Sequence, residues 1–350
     1  MTLRSLHIDA GRSWRGGQRQ VLLLTTALRA RGREPLVVGV SGSPLLERIQ
    51  GAGIATASIP MRSDWDLRSA KRLRSIIRAW RPDVIHAHDA RAHAISLIAL
   101  AGDTTPLVVT RRVTFPLKSV RVKYGLRVTR FIAISNAVRD AMVRSGVDSQ
   151  RIDVVHSGVP TPVAPEPRDW RREMGWSEET VIAGVVGAMT AEKGVNALRH
   201  IASRLGEGAL DRTRLVLLGG TSRGPLKLGP LLAHQSGFVT EIHNAMGGLD
   251  VLWHPASEEG LGTVLIDSLG LGVPPIAFDV GGVGEIIENG KNGLLVPLGD
   301  VQAFASGHES MLEPGYRNRL AEAGPVRAAV FSVEAMTEGV ERVYQRVLTA

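Results

Sequence analysis

The sequence predicts an α/β fold built from two doubly wound domains, each organised around a parallel sheet. Three observations lead to this prediction. Short apolar runs alternate with amphipathic helical patterns, a proline-rich segment interrupts that alternation near the middle, and 350 residues are enough for two domains of ordinary size. Apolar residues make up 44% of the chain and charged residues 22%, which is the composition of a globular protein.

The first half contains five apolar runs that are short enough to be buried strands. They lie at residues 36–40, 84–88, 107–110, 130–134 and 152–155. Two of the segments between them have helical spacing. One spans 18–31, where Val21 and Leu28 share a helix face, and the other spans 67–80, where apolar residues lie opposite a row of arginines. Strands that alternate with helices form a parallel sheet through βαβ units.

Residues 158–167 separate the two halves. Four prolines occur there within eight residues, which neither a helix nor a central strand tolerates, so the segment is predicted to be a linker. Beyond it the alternation resumes. Strands are predicted at 181–186, 214–218, 251–254, 275–278 and 293–296, and helices at 195–205, 263–271, 301–312 and 333–348. In doubly wound sheets, ligands bind at the carboxyl ends of the strands.

Net charge differs sharply between the two halves. Residues 1–165 contain 26 basic and 11 acidic residues, a net charge of +15, and residues 166–350 contain 16 and 23, a net charge of −7. This asymmetry indicates two surfaces with different partners. Nucleic acid is one partner for a basic half, but aromatic residues make up only 4% and do not interleave with the basic ones. We therefore expect no nucleic-acid partner.

Several protein classes are excluded by what the sequence lacks. With no cysteine there is no disulfide scaffold, thiolate zinc site or cysteine nucleophile. Neither the dinucleotide fingerprint Gly-x-Gly-x-x-Gly nor a Walker loop is present, so oxidoreductases and P-loop enzymes lose their main support. No apolar run approaches the ~20 residues of a membrane-spanning helix, and the first residues lack the apolar stretch of a signal peptide. We therefore expect a cytoplasmic protein.

Short glycine turns follow several predicted strands and open the helices after them. They are Gly16-Gly17, Gly260-Leu261-Gly262-Thr263 and Gly281-Gly282-Val283-Gly284. Glycine lets the backbone approach a ligand closely, and a helix start presents free N–H groups to a phosphate. A single turn of this kind is more often only a tight connection, but several on the same edge of the sheets favour phosphate binding.

Three side chains near these turns have the chemistry to bind a polar ligand. Lys193 lies in the loop after strand 181–186, where its ammonium group can reach an anion, although most loop lysines are simply solvated. Glu259 precedes the helix start at Thr263, and Asp267 lies one turn inside that helix. Two carboxylates there can bind the hydroxyls of a sugar and of a ribose. The alternative for Glu259 is a favourable charge at a helix N-terminus.

Together these segments resemble the donor-binding domain of retaining GT-B glycosyltransferases of family four. The matching segments of the second half are Glu192-Lys193-Gly194, Glu259 to Asp267, Asp279-Val-Gly-Gly-Val-Gly-Glu285 and Asn289-Gly-Lys-Asn-Gly-Leu-Leu-Val-Pro297. Those of the first half are Gly16-Gly17-Gln18-Arg19-Gln20, Arg81-Pro-Asp-Val-Ile-His-Ala-His88, Ile132-Ala-Ile-Ser135 and Val154-Val-His-Ser-Gly158. The resemblance covers nearly the whole chain.

This resemblance implies two Rossmann-like domains that face each other across a cleft. Residues 1–160 would bind the acceptor, residues 161–330 would bind a nucleotide-diphospho-sugar donor, and the helix at 331–350 would cross back onto the first domain. The implied reaction is transfer of a hexose or heptose to a glycan or lipid-linked acceptor, as in the synthesis of lipopolysaccharide or another cell-envelope glycan. It would retain the anomeric configuration and use no metal ion or other cofactor.

Matching the motifs position by position gives each residue an implied role. Lys193 would hold the donor diphosphate, Glu259 would contact the sugar, and Asp267 would hold the ribose. The other donor-binding positions are Gly16, Gly17, Gly262, Thr263 and Gly282. His88, at the end of a predicted strand, would face the ligand and form the catalytic set with Lys193 and Glu259.

The chain departs from the family pattern at several positions. The arginine that usually lies five residues before the lysine is Ala188 here, which removes one positive charge from the diphosphate site. The family's second glutamate is Asp267, shorter by one methylene group, and the stretch 219–238 is short. Thr110-Arg111-Arg112 replaces the family's Thr-x-His, and Arg111 and Arg112 are the predicted acceptor-side residues.

Two other functions are open as alternatives, and a third, nucleic-acid binding, rests only on the charge of the basic half. A sugar-nucleotide epimerase would use the same architecture, and a non-catalytic sugar-nucleotide-binding partner subunit would explain Ala188 and Arg111. The motif Asp64-Trp65-Asp66 is similar to the metal-binding Asp-x-Asp of the other glycosyltransferase fold. It precedes the helix at 67–80, however, and Asp66 as the N-cap of that helix is the better explanation. We therefore predict no metal site.

Two basic clusters in the first half predict an anionic acceptor. They comprise Arg68, Lys71, Arg72, Arg74 and Arg78 on the helix 67–80, and Arg111, Arg112, Lys118, Arg121, Lys123 and Arg127 after strand 107–110. A single charge run is usually just a solvated face, but two clusters in one domain are harder to dismiss. Basic residues near an anionic membrane are worth about 1 kcal/mol each. We expect the protein to contact an anionic, lipid-linked acceptor, peripherally at the inner face of the membrane.

Overall fold

A computed structural model describes residues 2–117, 124–125, 127–161 and 166–349. The chain divides into two compact units. The N-terminal unit comprises Met1–Gly158 with Val333–Ala350, and the C-terminal unit comprises Val159–Ser332. Each unit has helices and a sheet in which most strands are parallel. This architecture confirms the predicted α/β fold with two Rossmann-like domains.

The N-terminal unit is organised around a seven-stranded parallel sheet. Its strands are β1 (Arg4–Ile8), β2 (Glu34–Gly39), β3 (Ala55–Ser58), β4 (Val84–Ala87), β5 (Leu107–Arg111), β6 (Arg130–Ala133) and β7 (Ile152–Val154). Their order in the sheet is β3-β2-β1-β4-β5-β6-β7. The helices described in this unit are α1 (Gly16–Ala30), α2 (Pro44–Gly51), α3 (Leu67–Trp80), α4 (Ala90–Ala99), α5 (Asn136–Arg144) and α13 (Val333–Thr349).

Aspartates determine where two helices of this unit begin. Asp66 accepts a hydrogen bond from Ser69 N at 3.0 Å and caps α3, which confirms the prediction for this residue. Asp89 caps α4 by accepting hydrogen bonds from Arg91 N at 2.8 Å and Ala92 N at 3.0 Å. The second cap places the start of α4 directly after β4, at the carboxyl edge of the sheet.

Helix α13 follows the C-terminal unit in sequence but completes the core of the N-terminal unit. It packs against an apolar cluster that includes Leu24 and Leu28 of α1. The side chains that it buries there are Met336, Val340, Val343, Tyr344 and Val347. At its edge, Glu341 pairs with Arg31 at 2.9 Å and with Arg33 at 2.7 Å. The helix is therefore an integral layer of this unit.

The C-terminal unit contains a six-stranded sheet with the order β10-β9-β8-β11-β12-β13. These strands are β8 (Val181–Val186), β9 (Thr213–Leu228), β10 (Leu231–Gly237), β11 (Val251–His254), β12 (Pro275–Asp279) and β13 (Leu294–Pro297). Its helices are α6 (Trp170–Met174), α7 (Val195–Ala202), α8 (Glu207–Arg212), α9 (Ile242–Gly247), α10 (Thr263–Gly270), α11 (Val301–Ser310) and α12 (Pro314–Ala329). Within the described ranges, no helix combines the length and the apolar composition needed to cross a membrane.

Strand β9 is 16 residues long, much longer than the strand predicted at 214–218. Its first part pairs in parallel with β8, and its second part forms an antiparallel hairpin with β10. Gly229, with a φ of 62°, lies in the connecting turn. Ala233 of β10 lies opposite both Leu215 and Leu226, so β10 lies between the two parts of β9. Extended chain thus fills most of the short stretch 219–238.

Candidate active site

Three loops meet at the carboxyl edge of the C-terminal sheet. They follow β8, β11 and β12 and span residues 187–194, 255–262 and 280–282. The main chain joins the first two loops directly, because Ser257 N donates a hydrogen bond to Glu192 O at 3.0 Å. The predicted donor-site residues Lys193, Glu259 and Gly282 lie on these loops.

Two glycines allow the loops to approach so closely. A Cβ atom on Gly194 would lie 1.8 Å from the carbonyl oxygen of Pro255, and one on Gly281 would lie 1.7 Å from the carbonyl oxygen of Glu259. Both glycines also have positive φ, 80° and 57°. Main-chain packing therefore requires glycine at both positions, and the turn at 281–284 positions its loop against Glu259.

Lys193 and Glu259 are in direct contact. Lys193 Nζ lies 2.6 Å from Glu259 Oε2, and His254 Nε2 lies 3.3 Å from the same oxygen. The second contact does not have the geometry of a regular hydrogen bond. Because His254 is the last residue of β11 and is buried, the sheet fixes its position. An ammonium group and an imidazole thus converge on one carboxylate oxygen.

These neighbours determine the charge of Glu259. Burial alone would raise its pKa, but the interactions with His254 and Lys193 outweigh that effect and lower the pKa to about 2. The carboxylate is therefore ionised at neutral pH. An anionic ligand at this edge would compete with Glu259 for the ammonium group of Lys193, whose side chain is about one third exposed.

Helix α10 begins beside this pair. Its N-cap, Gly262, has a left-handed φ of 94° and forms no side-chain cap, and the first turn contains no acidic residue. A Cβ atom on Gly262 would lie 3.4 Å from Glu259 Cγ, so the helix start and the carboxylate are adjacent. The N–H groups that follow Gly262, at Thr263 and beyond, and the positive end of the helix dipole suit a phosphate group.

Asp267 lies one turn deeper in α10 and is only 5% exposed. Its Oδ1 lies 3.0 Å from Nε2 of His243, which belongs to α9. Asp267 is therefore part of a second polar pair on the same helix that starts beside Glu259.

In the N-terminal unit, a hydrogen-bonded chain of three buried side chains and the partly buried Arg112 ends at the carboxyl edge of the sheet. Arg112 NH2 lies 3.4 Å from His88 Nδ1, His88 Nε2 lies 3.0 Å from His7 Nδ1, and His7 Nε2 lies 3.0 Å from Ser5 Oγ. Because arginine can only donate, His88 accepts at Nδ1 and donates from Nε2 to His7. Both ring nitrogens of His88, the predicted ligand-facing residue, are thus engaged within the protein.

His86 joins this group from the middle of the sheet. Its Nδ1 lies 2.7 Å from the Tyr344 hydroxyl, and its Nε2 lies 2.6 Å from Thr110 Oγ1. Burial lowers the pKa of His7 to about 3 and lowers those of His86 and His88 well below the usual value, so all three are neutral at neutral pH. The spacing of the three imidazoles suits a metal ion, but hydrogen-bonding partners already lie at each of their nitrogens.

Arg112 lies beside the glycine turn that opens α1. A Cβ atom on Gly17 would lie 3.7 Å from Arg112 Cδ. Burial lowers the pKa of Arg112 to about 10 against the opposing effect of Asp9 and Asp89, and burial and Asp89 raise the pKa of Asp9. The buried Nε of Arg112 has no hydrogen-bond partner within the described residues. The structure thus brings the predicted residues Gly17, His88 and Arg112 together, with Gly16 as the first residue of α1.

The other described residues of the second predicted basic cluster do not join this group. The Arg111 side chain contacts the main chain that follows it and donates a hydrogen bond from Nε to Val113 O at 3.2 Å. Lys118, Arg121 and Lys123, three members of the second predicted cluster, lie outside the described residues.

Four residues of these two sites were not predicted from the sequence. His254 and Asp9 lie at the carboxyl ends of strands, so the rule that singled out His88 would have found them. His7 lies inside β1, and His243 lies in a short helix without a recognisable motif. Their roles depend on contacts between distant segments, which a single sequence does not reveal.

Two family models match this chain. Glycosyltransferase Family 4 matches residues 14–162, and Glycosyl transferases group 1 matches residues 167–327. Together they span the C-terminal sheet with all three loops of its site, and every strand of the N-terminal sheet except β1.

Individual proteins are similar over most of the chain. The 2-deoxystreptamine N-acetyl-D-glucosaminyltransferase of Streptomyces fradiae is 27% identical over 361 residues, which cover 89% of this chain and 86% of the relative. The phosphatidyl-myo-inositol mannosyltransferase of Mycobacterium leprae is 26% identical over 360 residues, which cover 96% and 94%. Among solved structures, Anabaena HepE in complex with UDP and glucose has a TM-score of 0.83 at 18% identity and covers 98% of this chain and 100% of its own.

Proposed function

This chain belongs to glycosyltransferase family 4, a family of GT-B enzymes, and we propose that it transfers a hexose or heptose from a nucleotide-diphospho-sugar to a glycan or lipid-linked acceptor. The transfer retains the anomeric configuration and proceeds without a metal ion. In this proposal the C-terminal unit binds the donor and the N-terminal unit binds the acceptor.

The contact of Lys193 with Glu259 beside the start of α10 supports this proposal best. When the bond between the sugar and the diphosphate breaks, negative charge develops on the departing diphosphate. The ammonium group of Lys193 and the N–H groups after Gly262 stabilise that charge, as a divalent ion does in metal-dependent enzymes. Because residue 188 is alanine, Lys193 is the only basic side chain of the loop 187–194.

The proposal gives roles to the other predicted residues as well. Glu259 releases Lys193 to the diphosphate and contacts the sugar hydroxyls. Asp267 binds the ribose. On the other unit, Gly16 and Gly17 contact the diphosphate or the acceptor at the start of α1. Arg112 lies beside this turn, and its buried Nε has no hydrogen-bond partner among the described residues.

A donor screen followed by product analysis tests this proposal. Thermal unfolding is measured with nucleoside diphosphates and their hexose and heptose derivatives, because a ligand at 100 times its Kd adds about 2.7 kcal/mol of stability. The donor that stabilises the protein is then incubated with candidate acceptors, and NMR determines the anomeric configuration of the product.

The expected result is a retained configuration and a rate that is unchanged by EDTA. An inverted product or dependence on a divalent ion would contradict the proposed chemistry. A sugar nucleotide that changes configuration without an acceptor would identify an epimerase, and binding without any turnover would identify a non-catalytic subunit.

The acceptor class is the part of the proposal that depends on the surface of the N-terminal unit. The names of the two relatives indicate different acceptors. One relative is a 2-deoxystreptamine glycosyltransferase, and the other is a phosphatidyl-myo-inositol glycosyltransferase. The exposed charges of helix α3 favour an anionic, lipid-linked acceptor. Its exposed cationic residues are Arg68, Lys71, Arg72 and Arg78, and none of these forms an ion pair within the described part of the chain.

Two large apolar side chains lie at the N-terminal end of this basic helix. Trp65 is 71% exposed and Leu67 is 68% exposed. A basic helix with tryptophan and leucine at one end is typical of a segment that lies in the interface of an anionic membrane. We therefore propose that α3 holds the enzyme at such a surface, where a lipid-linked acceptor is available.

Sedimentation with vesicles tests this surface. We expect binding to phosphatidylglycerol-containing vesicles at low salt, weak binding to neutral vesicles, and loss of binding when Trp65 and Leu67 are both changed to serine. The matched control changes Val326 and Val330, two exposed valines of the C-terminal unit, to serine and is expected to bind like the wild type. Equal, salt-insensitive behaviour on both kinds of vesicle would favour a soluble, uncharged acceptor.

A further inference from the structure

His243 holds one oxygen of Asp267. Its Nε2 lies 3.0 Å from Asp267 Oδ1, and the two residues belong to different helices, α9 and α10. Asp267 is nearly fully buried, whereas the side chain of His243 is 30% exposed. The contact therefore links a buried carboxylate to a residue that reaches the surface of the C-terminal unit.

The helix that contains His243 is itself firmly attached. Arg168 N donates a hydrogen bond to Asn244 O at 2.8 Å, and the indole Nε1 of the buried Trp170 donates to Ala245 O at 2.9 Å. These bonds fix the two residues that follow His243. The helix that carries the imidazole is therefore held in place beside Asp267.

A hydrogen-bond donor at one carboxylate oxygen restricts the rotation of an aspartate side chain. The terminal torsion of this side chain has a broad, two-fold energy profile, so hydrogen bonds to the carboxylate decide its orientation. The hydrogen bond from His243 to Oδ1 restrains the plane of the carboxylate. The imidazole donates this bond from Nε2.

We propose that His243 is a positioning residue that orients the Asp267 carboxylate toward the ribose hydroxyls of the nucleotide. This inference rests on the proposed function, in which Asp267 binds the ribose. A fixed carboxylate matters more for aspartate than for glutamate because the shorter side chain has less reach with which to correct a misplaced oxygen. His243 thereby contributes to the preference for ribonucleotides without touching the nucleotide itself.

Binding of ribo- and deoxyribonucleotides measures this role directly. UDP and GDP are titrated by calorimetry into the wild type and into His243→Ala, His243→Gln and Asp267→Asn, and the titrations are repeated with the 2′-deoxy and 3′-deoxy forms. His200→Ala, at an exposed histidine of the same unit, is the control, and thermal unfolding verifies that every variant is folded.

We expect His243→Ala to bind the ribonucleotide about tenfold more weakly, the size of effect typical for a hydrogen bond to a charged group. Its affinity for at least one deoxy form should be unchanged, so that the discrimination between the two disappears. His243→Gln keeps a hydrogen-bond donor and should retain most of the discrimination between ribo- and deoxyribonucleotides. In transfer assays, the donor KM of His243→Ala should rise while kcat changes little.

The outcomes separate this inference from the proposed function. If His243→Ala discriminates between ribo- and deoxyribonucleotides as the wild type does, the inference is wrong and the donor site stands. If Asp267→Asn also leaves this discrimination intact, or if the wild type binds no nucleotide, then the ribose role of Asp267 is wrong and His243 has nothing to position.

Discussion

At the scale of single residues, Lys193 tests the donor site most directly. We predict that Lys193→Ala lowers the rate of sugar transfer by about 10²–10³-fold, since the loss of one group that stabilises developing negative charge typically has this effect. The fold should be intact because the side chain is partly exposed. Steady-state kinetics and thermal unfolding of the variant measure both effects.

Lys291 provides a matched control for this change. Its Nζ also lies 2.6 Å from a glutamate, Glu288, but on the exposed surface. Such surface pairs contribute little to stability. Lys291→Ala should therefore retain wild-type turnover, and a folded Lys193→Ala variant with wild-type turnover would refute the role of Lys193.

A second residue, His308, makes the stability of the C-terminal unit depend on pH. It accepts a hydrogen bond from Trp253 Nε1 at 3.1 Å and lies 2.9 Å from Thr213 Oγ1. Burial lowers its pKa to about 3. In the unfolded chain the pKa is about 6.5, so between pH 6.5 and pH 3 only the unfolded chain binds the proton and stability falls as the pH falls.

We predict that protonation of His308 in the unfolded chain lowers the free energy of unfolding by about 1.4 kcal/mol when the pH is lowered from 7.5 to 5.5. The glutamine of His308→Gln does not titrate. We expect this variant to be less stable than the wild type at pH 7.5, but its free energy of unfolding should fall less when the pH is lowered. Urea unfolding at the two pH values measures the difference. Equal losses in the two proteins would show that His308 does not remain neutral in the folded state.

Motifs in the sequence indicated residues that the structure brings together, whereas residues outside a motif were missed. Lys193 and Glu259 belong to ordered motifs, and the structure finds them in contact. His254 completes that contact from a strand end that contains no motif. His243 and His7 meet their partners only because distant segments pack together, and no spacing along the chain indicates such packing.

At the scale of elements, the glycine at 281 determines how the third loop meets the second. We predict that Gly281→Ala destabilises the protein and lowers transfer, because its Cβ atom would collide with the carbonyl oxygen of Glu259 and move that residue. Gly299→Ala is the control, since Gly299 has a similar positive φ, 82°, but open space around it.

The control separates backbone strain from the collision. A left-handed conformation alone costs a non-glycine residue about 1–2 kcal/mol, and Gly299→Ala should show only that loss of stability with normal turnover. Urea unfolding and kcat/KM provide the two readouts. Equal effects of the two substitutions would mean that the contact of Gly281 with Glu259 is unimportant.

Predicted elements agree with the structure where their patterns are strong. The strands at 181–186 and 251–254 and the helix at 67–80 have the predicted bounds. Helix α4 was missed because it is apolar on nearly all sides and has no helical periodicity, and β3, with the sequence Ala-Thr-Ala-Ser, has no apolar run. The extension of β9 was missed because glycine and proline interrupt it, which normally ends a strand.

At the scale of the whole molecule, the two units differ in what each needs to fold. The C-terminal unit is one continuous segment, whereas the N-terminal unit needs α13. Each of the five core side chains that α13 buries is worth about 1.5–3 kcal/mol, and their sum is comparable with the entire stability of a typical domain, about 5–15 kcal/mol.

We therefore predict that a fragment of residues 159–332 unfolds cooperatively by itself and that a fragment of residues 1–158 does not. Attaching residues 333–350 to the second fragment through a flexible linker should restore cooperative unfolding. Circular dichroism during urea titration distinguishes these cases. A cooperative transition of residues 1–158 alone would mean that α13 is dispensable for this unit.

The position of α13 also has a consequence for synthesis on the ribosome. After residue 158 has been added, 174 residues precede Val333, and at 5–20 residues per second their translation takes roughly 9–35 s. During that time the nascent N-terminal unit exposes the apolar surface around Leu24 and Leu28 that α13 later covers. The C-terminal unit meanwhile emerges with all its own strands. The half of the enzyme that is made first is thus finished last, and it is the half that would engage chaperones during translation.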